Sequence, residues 1–143
     1  MFTYKKLSDD VYSTAQIFPE QIDHIAETGF KTIICNRPDM EKPGQPFSDD
    51  IRKHAADKGI GYHYLPMSPG RLTPDLLKNM EKALKESPKP VLMHCASGTR
   101  SAMLWCFVNA KELGVDEVLE RATKAGFNVA QIRPALLQYV QQA

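Results

Sequence analysis

The sequence predicts an α/β fold built on a mostly parallel sheet. Short β-branched or aromatic runs alternate with amphipathic helical segments through the 143 residues, and strands separated by helices are joined by crossovers that leave neighbouring strands parallel. The length suffices for one domain and is too short for two ordinary ones. We therefore expect residues 1–143 to form a single domain whose sheet is flanked by helices.

The first third of the chain alternates strand, helix, strand and loop. Val11–Thr14 is rich in β-forming residues and is predicted as an edge strand. A helix follows over Pro19–Thr28 and is stopped by Gly29. Phe30–Cys35 has a β-branched centre and predicts a second strand. The next segment, Asn36–Phe47, contains three prolines and a glycine, which indicates a loop.

The middle of the chain repeats this order. Ser48 is expected to cap a helix that runs to Lys58 and is ended by Gly59. The strand Tyr62–Leu65 comes next, followed by the turn-rich loop Pro66–Leu72.

The remaining segments are predicted as one strand among helices. Thr73 is a typical N-cap before Pro74 at the first helical position, and this helix extends to about Glu86. Val91–Met93 is a short apolar strand. Three further helices are predicted over 101–113, 115–125 and 129–142.

Three loops follow the predicted strands directly, beginning with Asn36-Arg37, Pro66-Met67 and His94-Cys95. In open parallel sheets, ligands bind beyond the carboxyl ends of the strands. These loops are therefore expected to meet at one edge of the sheet and to form a single site around Cys95.

The segment from His94 to Ser101 carries the strongest chemical signal in the chain. Cys95 stands between a buried strand and the N-terminus of a helix, where free N–H groups and the helix dipole favour the thiolate, the nucleophilic form of cysteine. Arg100 supplies a permanently charged guanidinium, whose planar fork of N–H groups can donate two parallel hydrogen bonds to an oxyanion. We expect the residues between and beside them to bind the substrate: Ala96, Ser97, Gly98, Thr99 and Ser101.

Two residues of the loop after the first buried strand, Arg37 and Asp39, are further candidates for substrate binding. Arg37 is expected either to bind the anionic part of a substrate or to pair with Asp39 or Glu41. Asp39 is the best candidate for a general acid. Ser101 could instead cap the helix that follows it. Cys35 is expected to pack in the core, and its alternative role is that of a second reactive thiol.

The bulk composition excludes several classes of function. A net charge of +1 provides no excess of positive charge for binding nucleic acid or an acidic membrane. No signal peptide or membrane-spanning run is visible, and three cysteines suggest free thiols in a reducing cytoplasm. The histidines show no ligand spacing. We predict no metal and no cofactor.

The segment His94–Ser101 is preceded along the chain by four short motifs: Ser13-Thr14-Ala15-Gln16, Asn36-Arg37-Pro38-Asp39, Pro43-Gly44-Gln45-Pro46 and Leu65-Pro66-Met67-Ser68-Pro69-Gly70. In these motifs and their order the sequence resembles the phosphatase-like domain of bacterial beta-lactamase-hydrolase-like proteins. The reactive loop by itself resembles those of rhodaneses and cysteine-dependent phosphatases. The resemblance implies a cysteine-phosphatase-like fold related to the dual-specificity enzymes, with a sheet of about four or five strands. It also implies that His94 orients the loop rather than acting as a base.

Two features favour a rhodanese-type sulfurtransferase in which Cys95 carries a persulfide. Four residues separate Cys95 from Arg100, as in rhodaneses, whereas cysteine phosphatases resemble one another in having five. The Pro66–Leu72 loop also lacks the carboxylate that protonates the leaving group in phosphatases of this type. This hypothesis implies a persulfide or thiosulfate donor, a thiol acceptor such as glutathione, and a persulfide dioxygenase as a possible partner.

Two alternatives remain open from the sequence. The first is a cysteine-dependent phosphatase that acts on a phosphate ester through a Cys95 phosphocysteine. The second is a non-catalytic domain that binds an oxyanion beside a partner enzyme.

Overall fold

A computed structural model describes residues 3–142. Its five-stranded sheet has the order β1-β2-β5-β3-β4, in which only β1 and β2 pair antiparallel. The strands are β1 (Lys5–Ser8), β2 (Val11–Thr14), β3 (Thr32–Cys35), β4 (Gly61–Tyr64) and β5 (Val91–His94). The α/β fold with a mostly parallel sheet is therefore confirmed.

Six α-helices cover the two faces of the sheet. They are α1 (Ile22–Thr28), α2 (Ser48–Asp57), α3 (Pro74–Glu86), α4 (Thr99–Leu113), α5 (Val115–Lys124) and α6 (Arg133–Gln141). Short 3-10 turns, Pro19–Gln21 and Ala130–Ile132, precede the first and the last of them.

The sheet separates two apolar cores because side chains alternate along each strand. Ile33 of β3 and Leu92 of β5 point into a core shared with α1 and α2. Ile34 and Met93 point into a larger core shared with α3 to α6, where Trp105 of α4 is fully buried. Because β3 and β5 are buried on both faces, the middle of the sheet is a fixed base for the loops that follow these strands.

The prediction of Val11–Thr14 as an edge strand was wrong. This segment, β2, lies between β1 and β5, and β1 is the edge strand that the sequence did not predict. Only Leu7 of β1 is buried, while Lys5 and Lys6 are exposed, so the segment lacks the alternation that marks a half-buried strand.

The cap of α2 also differs from the expectation. Ser48 is the first helical residue, and Phe47 holds the N-cap position without a side-chain cap. The carboxylate of Asp39 supplies the missing acceptor, because it receives the Ser48 N–H at 2.8 Å and the Ser48 hydroxyl at 2.8 Å. Thr73 caps α3 as predicted, by accepting the Leu76 N–H.

Candidate active site

Cys95 follows β5 directly and is fully buried. The Gly98 N–H donates to Cys95 Sγ at 3.0 Å, which folds the intervening loop around the sulfur. Gly98 is the N-cap of α4 and has a φ of +97°, a conformation that favours glycine. The structure thus places the thiol at the start of α4, as the sequence predicts.

Two carbonyl groups of this loop accept hydrogen bonds from β2 and from the residues that follow it. The Ser13 hydroxyl of β2 donates to the Gly98 carbonyl at 2.8 Å, and the Gln16 N–H donates to the Ala96 carbonyl at 3.1 Å. Among residues 3–142, no hydrogen bond is made by four N–H groups of the loop and first helical turn, those of Ala96, Ser97, Arg100 and Ser101. These donors are free to bind an anion.

The guanidinium of Arg100 is held by a carboxylate from a distant loop. Arg100 Nη1 and Nη2 donate to the two oxygens of Glu41 at 2.7 and 2.9 Å, and Nη1 also donates to the Met67 carbonyl at 2.8 Å. The side chains of Arg100 and Glu41 are only 14% and 20% exposed. The bond to Arg100 is the main reason that the pKa of Glu41 falls to about 2. Glu41 is therefore a carboxylate ion at any ordinary pH.

Arg37 belongs to the same cluster. Its Nε donates to Glu41 Oε1 at 2.9 Å, and its Nη1 donates to Gln16 Oε1 at 3.1 Å. Of the two roles open to Arg37, pairing with Glu41 is the one that the structure shows. The side chain of Gln45 stabilises the loop after β3, because it accepts the Glu41 N–H and donates to the Pro38 carbonyl.

Asp39 lies on the same loop, but both of its oxygens are occupied by Ser48 as the cap of α2. The loop after β4, residues 65–73, contains no carboxylate. These contacts do not show Asp39 as a proton donor, and its role as a general acid stays a prediction.

His94 and Ser101 support the loop from beneath. His94 is fully buried, and burial lowers the pKa of its imidazole to about 4, so the ring is neutral at pH 7. The Ser101 hydroxyl donates to Asn36 Oδ1 at 2.8 Å, and Asn36 Nδ2 donates to the Leu65 carbonyl at 2.9 Å. Asn36 therefore connects α4 to the loop after β4.

The hydroxyls of Ser97 and Thr99 lie at the outer side of the loop. They are 3.2 Å apart and form a hydrogen bond with each other. Ser97 is exposed and Thr99 half-buried, so both can reach a bound molecule. Their role in substrate binding remains a prediction.

Cys35 ends β3, in register with His94 of the neighbouring β5. Burial raises the pKa of its thiol to about 11, and the thiol donates to the Arg37 carbonyl at 3.4 Å. Burial likewise raises the pKa of Cys106 to about 12, within the core of α4. Among the described residues, neither thiol pairs with a positively charged side chain that would favour the thiolate.

No three His, Cys, Asp or Glu side chains of residues 3–142 come together in a way that could hold a metal ion. Within the same range, no helix has both the length and the apolar character needed to cross a membrane.

Replacing Gly98 by alanine is expected to destabilise the fold by about 3 kcal/mol, because strained backbone and crowding add together. A Cβ at this position would lie 2.8 Å from Phe127 Cε1 and 3.2 Å from the backbone carbon of Thr14. Gly59→Ala is the matched control, since Gly59 also has a positive φ, of +75°, but nothing within 4 Å of the added carbon. Urea unfolding measures both variants, and equal losses of stability would contradict the crowding at Gly98.

The sheet order and the loop between β5 and α4 define a cysteine-phosphatase-like α/β domain. The chain belongs to the family described as beta-lactamase hydrolase-like protein, phosphatase-like domain, whose model matches residues 3–112. This confirms the resemblance drawn from the sequence.

Individual relatives agree with this assignment. A beta-lactamase hydrolase-like protein of Agrobacterium fabrum is 35% identical over 81 residues, which are 57% of this chain and 19% of that protein. The chain thus matches about a fifth of the length of such relatives. A solved structure from Neisseria meningitidis, described as a candidate phosphatase, is 33% identical with a TM-score of 0.85 and covers 94% of this chain and 96% of its own.

A more distant structure supports the fold alone. Tk-PTP in its active form is 20% identical, with a TM-score of 0.70, over 96% of this chain and 95% of that chain. These neighbours have cysteine-phosphatase-like folds. The family and the Neisseria meningitidis structure favour the phosphatase alternative over the sulfurtransferase hypothesis.

Proposed function

We propose that the protein is a cysteine-dependent phosphatase that hydrolyses phosphate monoesters through Cys95. The observation that carries this proposal is the loop itself: within residues 95–101 it brings together a buried thiol, four N–H donors that make no hydrogen bond among residues 3–142, and the Arg100 guanidinium. Donors fixed around a phosphoryl group stabilise the charge on its oxygens during transfer.

The reaction would take place in two steps at phosphorus. The Cys95 thiolate attacks the phosphorus, a P–S bond forms, and the P–O bond to the alcohol breaks. Water then attacks the phosphocysteine, the P–S bond breaks, and inorganic phosphate leaves with the thiolate restored. The sum is one ester and one water converted into one alcohol and one phosphate.

The phosphoryl group would take the place that the Glu41 carboxylate holds on Arg100. Both are anions that accept two parallel N–H bonds from a guanidinium, so they compete for the same fork. Substrate binding therefore requires Glu41 to move away from Arg100, and this exchange would give the substrate its place beside Cys95.

The leaving group is expected to depart without a strong general acid. Glu41 is ionised, Asp39 is bonded through both oxygens to Ser48, and the loop after β4 contains no carboxylate. Phenols of low pKa leave as stable anions and need no proton, whereas alcohols of high pKa do.

We therefore expect kcat/KM to fall steeply as the leaving-group pKa rises across a series of substituted phenyl phosphates. Phosphate release by the wild-type protein measures this, with Asp39→Asn and Glu41→Gln run beside it. A flat dependence that becomes steep in one of these variants would identify that carboxyl group as the acid. Absence of hydrolysis across the whole series would overturn the phosphatase proposal.

A sulfurtransferase is the second candidate, favoured by the four-residue interval between Cys95 and Arg100. In that reaction the Cys95 thiolate takes the outer sulfur of a persulfide, and the donor leaves as a thiol. An acceptor such as glutathione then takes the sulfur from Cys95. The shorter loop leaves less room for three phosphoryl oxygens and suffices for one added sulfur.

A further inference from the structure

A cavity of about 590 Å³ opens beside the outer side of the reactive loop. Ser97 and Thr99 of the loop line it, together with Lys5 of β1 and Lys124 of α5. Its volume is that of sites that hold small molecules. A group bound at the Cys95 loop would therefore have a cavity beside it for the rest of its molecule.

The lining of this cavity is cationic. Two ammonium groups and several hydroxyls face it, and none of the lining residues is acidic. Within residues 3–142, no ion pair or side-chain hydrogen bond uses the amine of Lys5. Lys124 pairs only with Glu120, at 2.9 Å, and those side chains are 75% and 59% exposed. Such an exposed pair is weak, so the amine can exchange it for another anion.

The positive surface continues away from the loop. A second cavity, of about 520 Å³, shares Lys5 and Lys124 with the first and adds Lys6 and Arg121. It follows the outer edge of β1, where no further strand is paired. Asp9 is the one acidic residue of its lining, and it pairs with Lys6 at 3.2 Å. Arg121 pairs with Glu117 at 2.6 Å, so Lys5, which lines both cavities, is the cation of this lining that no ion pair of residues 3–142 uses.

We propose that the cavity between Lys5 and Lys124 binds a second anionic group of the substrate. The substrate class is a small organic phosphate ester that carries another phosphate, phosphonate or carboxylate on the part that is released. This inference rests on the phosphatase function, since that function places the reacting phosphoryl group at Cys95. Lys5 and Lys124 then determine specificity without taking part in the bond changes.

Two aryl phosphates test this proposal: one with a phosphonomethyl group para to the ester oxygen, and one with an ethyl group there. The phosphonate cannot be hydrolysed, so both compounds react only at the ester. We expect wild-type kcat/KM to be about fivefold or more higher for the phosphonate compound, mainly through a lower KM, and the difference to shrink with added salt.

The double variant Lys5→Gln, Lys124→Gln should lose this preference and keep its rate with the ethyl compound. Lys78→Gln removes a positive charge from an exposed position of α3 that does not line the cavity, and it should keep the preference. Absence of a preference in the wild type, an unchanged preference in the double variant, or an equal loss in Lys78→Gln would each overturn the proposal.

A failure of the phosphatase function gives a different result. In that case neither compound is hydrolysed, and calorimetric binding of the phosphonate compound to the Cys95→Ser variant decides the role of the cavity. Binding that is weakened by the two lysine replacements and not by Lys78→Gln supports the anion site. Binding that the lysine replacements leave unchanged, or no binding at all, overturns it.

Discussion

Replacing Cys95 by serine is expected to lower kcat/KM for a phenyl phosphate by about a thousandfold or more, because it removes the nucleophile. A serine hydroxyl stays protonated near neutral pH, and the adjacent His94 ring makes no hydrogen bond to the side chain at position 95: its Nδ1 contacts the Cys95 carbonyl at 3.4 Å, and its Nε2 has no partner among residues 3–142. The new hydroxyl can still accept the Gly98 N–H, so the loop should keep its shape. Phosphate release and urea unfolding, measured together, check both statements.

Cys35→Ser is the matched control for this variant. It makes the same sulfur-to-oxygen change at the end of the neighbouring strand, where the Cys35 thiol donates to the Arg37 carbonyl. We expect it to keep most of the activity. Full activity in Cys95→Ser would contradict the assignment of Cys95 as the nucleophile.

Replacing Arg100 by lysine is expected to lower kcat/KM by about a hundredfold although the positive charge is kept. The guanidinium makes two parallel bonds to Glu41 and a third to the Met67 carbonyl, and a single ammonium cannot reproduce this planar fork. A phosphoryl group bound in the same place would lose one of its two bonds. The rate with phenyl phosphate and the inhibition constant of vanadate should both change.

Arg52→Lys provides the control for Arg100→Lys. Arg52 also donates two bonds to one carboxylate, that of Asp49, but the pair is exposed on α2 and makes no hydrogen bond to the reactive loop. Its replacement should leave the rate unchanged. Activity of Arg100→Lys within about twofold of the wild type would contradict a role of Arg100 in binding the transferred group.

Much of the site could be predicted because its parts lie close together in the sequence. The order strand, cysteine, small-residue loop and helix determines where Cys95 and Arg100 lie, and parallel strands bring the Asn36 and Met67 loops to the same edge. The free N–H groups of Arg100 and Ser101 follow from the helix start alone.

The partner of Arg100 could not be predicted, because Glu41 is 59 residues away in sequence and no local pattern joins them. The roles of Ser13 and Gln16 were missed for the same reason: each holds a carbonyl of a loop that is far along the chain. The only signal was the Ser-x-x-Gln element, which the family resemblance singled out without a physical role. Edge strand β1 was missed because its lysines give no apolar pattern.

From the sequence, the choice between sulfur transfer and phosphate hydrolysis depended on the number of residues between Cys95 and Arg100. That number describes the covalent chain but not the shape of the site. Four residues between Cys95 and Arg100 favoured sulfur transfer, whereas the family and the solved neighbours favour a phosphatase. In the structure Arg100 lies in the first turn of α4, so the helix itself supplies part of the donor set. A short loop therefore does not by itself exclude a phosphoryl group.

The most direct test of the central claim is the intact mass of the wild-type protein, quenched in acid during turnover of a phenyl phosphate with a good leaving group. The phosphatase account predicts a protein heavier by one phosphoryl group, with the addition on Cys95 and absent from Cys95→Ser. No phosphorylated protein in this experiment, together with gain of one sulfur atom on Cys95 from glutathione persulfide, would contradict it and establish the sulfurtransferase instead.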